Sequence, residues 1–235
     1  MINYAHRGAS DYAPENTLSS FYLGLMQGAN GLETDVQKTR DGVLVLFHDE
    51  TLDRVTDHKG RVCDYSFEEL KKVKVYGNCA TGFFDRIITL REFLEKFSDL
   101  DLNFAIELKG PDVEKETLEM VNEFDVLGKT TFTSFQYEYL EKTKKLSPAA
   151  RVGWIVSEVT DEVIEKLLAI GAEEIIPKAT PLTEEQVKLC RERGLGVRGC
   201  SVKTLDLMRK MCLLQVDGMT VNFPDRLHEY LQFIK

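Results

Sequence analysis

The stretch RVGWIVSEVTDEVIEKLLAIGAEEIIPKATPLTEEQVKLCRERGLGVRG, residues 151–199, alternates short apolar runs with longer segments of helical period. The runs at 151–155, 174–176 and 196–199 have strand length and strand composition, whereas 161–170 and 184–193 repeat their apolar residues at about 3.6 spacing. Gly171 and Gly194 stand where the two helices should stop. This order predicts a parallel sheet covered by helices.

The alternation extends outward in both directions. Further strands are expected at 2–5, 31–37, 103–107, 130–134 and 218–221, which brings the number to eight. Further helices are expected at 17–27, 113–124, 137–144, 204–211 and 226–234, with Gly28 and Gly128 as stops. So many strand–helix units within one domain's length favour an α/β fold of the closed (β/α)8, TIM-barrel kind over a doubly wound open sheet. From about 43 to 90 the alternation breaks into an Asp41-Gly42 turn, a short apolar run at 43–47 and a charged stretch at 49–61. We read this as a small insertion after the second strand, folded over the barrel mouth, within a single domain of residues 1–235.

Composition narrows the function. A net charge of −9 disfavours general affinity for nucleic acid or an anionic membrane, so an anionic substrate has to be met locally, by a metal or a few cations. The chain does not open on a basic segment followed by an apolar one, and no apolar run approaches the ~20 residues of a spanning helix, so a cytoplasmic protein is expected. Cys63, Cys79, Cys190, Cys200 and Cys212 form no CxxC or zinc spacing and read as reduced thiols.

In a barrel of this kind reactive groups project from the C-terminal ends of strands. His6 and Arg7 end the first run, Glu33 and Asp35 lie in the second, His48 ends the run at 43–47, and Glu107 and Lys109 end the third. Glu33 and Asp35 are two apart, so they share a strand face. Carboxylates sharing a face repel unless a cation lies between them. With Glu107 they would form an all-oxygen site for one divalent cation, Mg²⁺ or Ca²⁺. His6 and His48 suit an acid–base pair for phosphodiester cleavage, with Arg7 and Lys109 gripping the non-bridging oxygens. Plainer readings stand beside these: a solvated strand face for Glu33 and Asp35, charge neutralisation for Lys109, packing for Cys200. His58 reads as an exposed insertion residue and His228 as a helix-surface residue.

The string His6-Arg7-Gly8, Pro14-Glu15-Asn16-Thr17, Glu33-Thr34-Asp35-Val36-Gln37, Asp41-Gly42 and His48-Asp49 resembles the glycerophosphodiester phosphodiesterase family of cytosolic bacterial type. The likeness continues through Leu52-Asp53-Arg54, Gly60, Glu107-Leu108-Lys109, Ser134-Phe135, Val216-Asp217-Gly218, Thr220 and Phe223-Pro224-Asp225, nearly the whole chain. It implies a metal-dependent barrel that hydrolyses small glycerophosphodiesters to sn-glycerol 3-phosphate and an alcohol. His6 and His48 match the family's catalytic histidines, Glu33, Asp35 and Glu107 its metal ligands, and Arg7 and Lys109 its phosphate-binding cations. A lysophospholipase-D-like or cyclising enzyme on the same site is the alternative. The chain departs from the family at Cys200-Ser201-Val202-Lys203, where a Trp-Thr-Val-Asn string is common. The aromatic wall is missing there, and Phe223 is expected to replace part of it in binding substrate.

Overall fold

The computed structural model describes residues 1–77 and 82–234. In chain order, β1 (Ile2–His6), α1 (Leu18–Met26) and β2 (Gly31–Lys38) are followed by the insertion, which carries β3 (Leu44–Leu46), the one-turn α2 (Phe67–Leu70) and the hairpin β4 (Lys74–Tyr76) with β5 (Phe84–Arg86). The alternation resumes with α3 (Leu90–Phe97), β6 (Asn103–Leu108), α4 (Glu114–Glu123), β7 (Thr130–Ser134), α5 (Tyr137–Leu146), β8 (Arg151–Val156) and α6 (Asp161–Ala169). It ends with β9 (Glu174–Pro177), α7 (Glu184–Glu192), β10 (Gly196–Val202), α8 (Leu205–Leu213), β11 (Gly218–Val221) and α9 (Pro224–Phe233). The order β1-β11-β10-β9-β8-β7-β6-β2 closes on itself through the β1–β2 pairing, so eight parallel strands form a barrel and β3 adds to β2 antiparallel.

Each expected strand is present, but α3 was not expected. Its start is legible in Thr89-Leu90-Arg91-Glu92, where Thr89 accepts from the Glu92 N–H and Glu92 reaches back to the Thr89 N–H. The insertion thus gives way to the barrel crossover at Thr89. Gly128 also differs: α4 stops at Glu123 with Asp125 left-handed at φ 54°, and Gly128 lies in a following 3-10 turn. Of the cysteines, Cys63, Cys190, Cys200 and Cys212 are unpaired thiols, and Cys79 lies outside the described residues.

Helices dock on the barrel through buried apolar side chains in direct contact. Phe21 of α1 meets Phe93 of α3 edge-on at 4.8 Å, and Phe93 meets Phe104 of β6 at 5.7 Å. A second apolar cluster, including Val45, Leu52, Val62, Leu70 and Ile87, gives the insertion its own core. Inside the barrel, buried Arg198 donates to Glu174 Oε2 at 2.8 and 3.2 Å, with its guanidinium 4.6 Å over the Tyr4 ring. Gly31 is required beside it, since a Cβ there would lie 2.5 Å from Tyr4. Thr89→Ala removes one half of the α3 capping box and is expected to lower stability by about 1 kcal/mol. In a thermal melt that is a fall in Tm of about 2–4 °C for a chain of this size.

Candidate active site

Strand register performs the first step of assembly. His6 of β1 pairs with Glu33 of β2, and Asp35 of β2 pairs with Glu107 of β6, which brings all four to one patch at the C-terminal mouth. His48 arrives from the other direction. The turn at 39–43, with Gly42 at φ 83°, sends β3 back down β2, so that the Phe47 N–H donates to the Asp35 carbonyl at 3.1 Å and His48 descends into the mouth. The Gln37 amide fixes the backbone on both sides of it, donating to the carbonyls of Phe47 (2.9 Å) and Asp49 (2.6 Å).

Glu33, Asp35 and Glu107 are buried and offer oxygens within 4.8 Å of one another. Burial and then repulsion from Asp35 push Glu33 up to about 8 and Glu107 up to about 7. Asp35 goes the other way. Burial raises it, but Arg7 Nε at 3.1 Å, Lys109 Nζ at 3.6 Å, His48 and a 2.9 Å hydrogen bond from Asn16 together hold it well below the usual carboxylate range. Its other oxygen, Oδ1, is buried without a hydrogen-bond partner. An anionic oxygen that makes no hydrogen bond, 3.6 Å from the Lys109 ammonium and beside two more buried carboxylates, is an environment a hard divalent cation would satisfy. As ligands the carboxylates would lose protons to bind it, so Mg²⁺ loading at pH 7 is expected to release roughly one proton, with affinity rising from pH 6 to 8. Calorimetric titrations in two buffers of different ionisation enthalpy measure this; no proton release would contradict the upward shifts of Glu33 and Glu107.

The two imidazoles are held from behind. His6 Nδ1 lies 2.6 Å from Asn222 Oδ1, and the Asn222 amide nitrogen donates to Asp11 at 3.0 Å, which fixes its oxygen towards the ring. Nδ1 therefore carries the proton and Nε2, 4.0 Å from Glu33, faces the site bare. Burial, and next the charge of Arg7, push His6 down to about 4. His48 Nδ1 lies 2.5 Å from Asp49 Oδ1, so Nδ1–H donates and its Nε2 is likewise left for chemistry.

Arg54 of the insertion ties these parts together. It donates to Asp49 at 2.5 and 3.1 Å and to Glu15 at 2.7 and 2.9 Å, while Glu15 accepts from Arg7 at 3.0 Å. One guanidinium thus braces the supports of both His48 and Arg7. Arg54→Ala is expected to lower kcat by about 10- to 100-fold in a protein that remains folded by circular dichroism; unchanged turnover would show that the brace is dispensable.

A cavity of about 260 Å³ opens over the patch, lined on one side by His6, Arg7, Glu33, His48 and Glu107. Across it stand Thr133, Phe135, Ile155, Ile176, Arg198, residues 200–203, Thr220 and Asn222. Asp35 is beneath this surface, and Lys109 bridges Glu107 (2.8 Å) and Asp35 while bordering an adjoining hollow with His48. Phe223 does not line the cavity; it caps α9 and is buried in the core. The aromatic ring at the cavity is Phe135, with Lys109 Nζ 5.5 Å from its centroid. His58 pairs with Asp57, and His228 is exposed on α9 against Gly28. The sequence reading assigned no role to Glu15, Asn16, Asp49, Arg54 or Asn222, although four of them stand inside its quoted motifs.

With this geometry in view, comparison with known proteins is decisive. The profile of the Glycerophosphoryl diester phosphodiesterase family matches residues 6–226. The chain belongs to that family. It is accordingly a phosphodiester hydrolase. It is 32% identical to a glycerophosphodiester phosphodiesterase of Caldanaerobacter subterraneus subsp. tengcongensis, across 95% of this chain and 94% of the relative. It is 33% identical to one from Bacillus altitudinis, across 95% of each. Among solved structures, an Oleispira antarctica phosphodiesterase in complex with the product sn-glycerol-3-phosphate superposes with TM-score 0.85 at 28% identity, covering 97% of this chain and 96% of that one. No helix among the described residues is long and apolar enough to cross a membrane.

Proposed function

We propose that this family member hydrolyses glycerophosphodiesters to sn-glycerol 3-phosphate and an alcohol in the cytoplasm, using one divalent cation, Mg²⁺ or Ca²⁺, held by Glu33, Asp35 and Glu107. The observation that carries this reading is the buried three-carboxylate cluster with two Nε2-presenting histidines beside it. Product bound in the related Oleispira enzyme supports the substrate class, and four unpaired thiols suit a reducing compartment. When bound, the cation supplies charge neutralisation at the phosphoryl oxygens.

The protein's own groups do the rest. Arg7 orients the phosphate from the cavity edge, and Lys109 sets the charge beneath it. His6, held neutral, is in the form that accepts a proton from the nucleophile, either water, which gives sn-glycerol 3-phosphate directly, or the glycerol 2-hydroxyl, whose cyclic phosphate a water then opens. His48 then donates to the departing alkoxide, which is a poor leaving group without that proton. Phosphorus NMR of the products from glycerophosphocholine and from a long-chain lysophospholipid tests the assignment. Release of sn-glycerol 3-phosphate from the first supports it. A cyclic phosphate as final product, or turnover of the lysolipid alone, would favour the cyclising or phospholipase-D-like chemistry.

A further inference from the structure

The wall across the cavity from the carboxylates is built unusually. In a regular strand alternate side chains face opposite ways, yet Cys200, Ser201, Val202 and Lys203 all line the cavity in succession. The cause is a register shift in the β10–β11 pairing between Gly199 and Val202, with Ser201 left-handed at φ 55°. A bulge of this kind re-aims side chains, and a serine held at positive φ is a strain that its surroundings must maintain.

What this bulge presents is cationic and hydroxylic. Lys203 is exposed at the rim and forms no ion pair among the described residues, whereas Arg198 at the floor of the same wall is already paired with Glu174. Among the described residues the cavity lining contains no carboxylate besides Glu33 and Glu107, which belong to the proposed cation site. Recognition of a quaternary ammonium wants open aromatic faces. Here the one phenyl ring among the described lining residues, Phe135, already has the Lys109 ammonium over it. The adjoining hollow beyond His48 shows no such bias, because its charges are internally paired: Arg61 with Glu50 at 3.0 Å and Lys38 with Glu116 at 2.8 Å.

We infer that the bulge at 199–202, with Ser201 and Lys203, is the leaving-group wall, and that it selects glycerophosphodiesters whose alcohol carries negative charge over those carrying a quaternary ammonium. The inference rests on the hydrolase reading above and names the substrate class within it. Scissile chemistry is unchanged; only the arm beyond the bridging oxygen is sorted.

The experiment compares kcat/KM of the metal-loaded enzyme for glycerophosphocholine, glycerophosphoglycerol and a glycerophosphodiester with a phosphate-bearing headgroup, in wild type and Lys203→Glu. The wild type is expected to prefer the anionic headgroup. Charge reversal turns a weak attraction into a repulsion, so the anionic-to-choline ratio of kcat/KM, in which any general loss of turnover cancels, should fall by about tenfold. Preference for choline in the wild type, or a ratio unmoved by Lys203→Glu, overturns the inference and leaves the hydrolase reading standing. No release from any of the three overturns both. Ser201→Gly separates the hydroxyl from the backbone: retained selectivity assigns the sorting to Lys203 alone and removes Ser201 from the proposal.

Discussion

Alanine at His6 or at His48 is expected to lower kcat on glycerophosphocholine by about a thousandfold, with the divalent cation still bound. The magnitude follows from what each ring does. An alkoxide leaves poorly unless it is protonated as the bond breaks, and a neutral hydroxyl attacks poorly unless its proton is accepted, so either loss removes a full acid–base contribution. The metal should survive both changes, because its proposed ligands are the three carboxylates, and neither histidine joins the group of atoms lying within 4.8 Å of one another. Steady-state kinetics with parallel metal analysis checks this. Turnover within about tenfold of wild type would remove that histidine from the proton transfers, and loss of metal would make it a ligand or its support instead.

The second large effect is expected at Asp35, where Asp35→Asn should abolish measurable turnover and the thermal stabilisation by Mg²⁺ expected of the wild type. Asp35 is fully buried and is the carboxylate kept ionised by Arg7 and Lys109. An amide keeps the shape and removes the charge. The cation then loses its most anionic ligand, while Arg7 and Lys109 lose the charge that offsets their own burial. Removing one partner from a buried ion pair costs about 3–5 kcal/mol, so the metal-free variant should also melt well below the metal-free wild type. Melting curves with and without Mg²⁺ separate the two consequences. A variant that melts lower yet still gains stability from Mg²⁺ would place the cation elsewhere.

The sequence made the strands legible because parallel barrel strands are apolar runs between polar crossovers, and the chemistry legible because strand ends mark the mouth. His6, Glu33, Asp35 and Glu107 could be placed together on that basis, and β-sheet register puts them in contact. His48 ends an apolar run and lines the cavity with His6, but its route there, down an antiparallel β3, depends on the turn at Gly42 and is not written in periodicity. Helix α3 was hidden because the insertion's irregular charge pattern ran up to its cap, although Thr89 and Glu92 spelled the capping box. Phe223 shows the opposite failure. An aromatic at a strand end was expected to face substrate, whereas the turn into α9 buries it in the core and leaves Phe135 at the cavity. The brace through Arg54 joins residues far apart in the chain, Glu15 and Asp49 among them, and only the folded insertion brings them into hydrogen-bonding range.

The central claim is that three buried carboxylates hold a divalent cation without which this barrel does not cleave glycerophosphodiesters. It is tested most directly by measuring sn-glycerol 3-phosphate release from glycerophosphocholine and glycerophosphoethanolamine by EDTA-stripped protein, before and after Mg²⁺ or Ca²⁺ is restored. The account predicts release that stops on stripping and returns with the metal, and does not return in Asp35→Asn. Undiminished release by protein shown to be metal-free would contradict it.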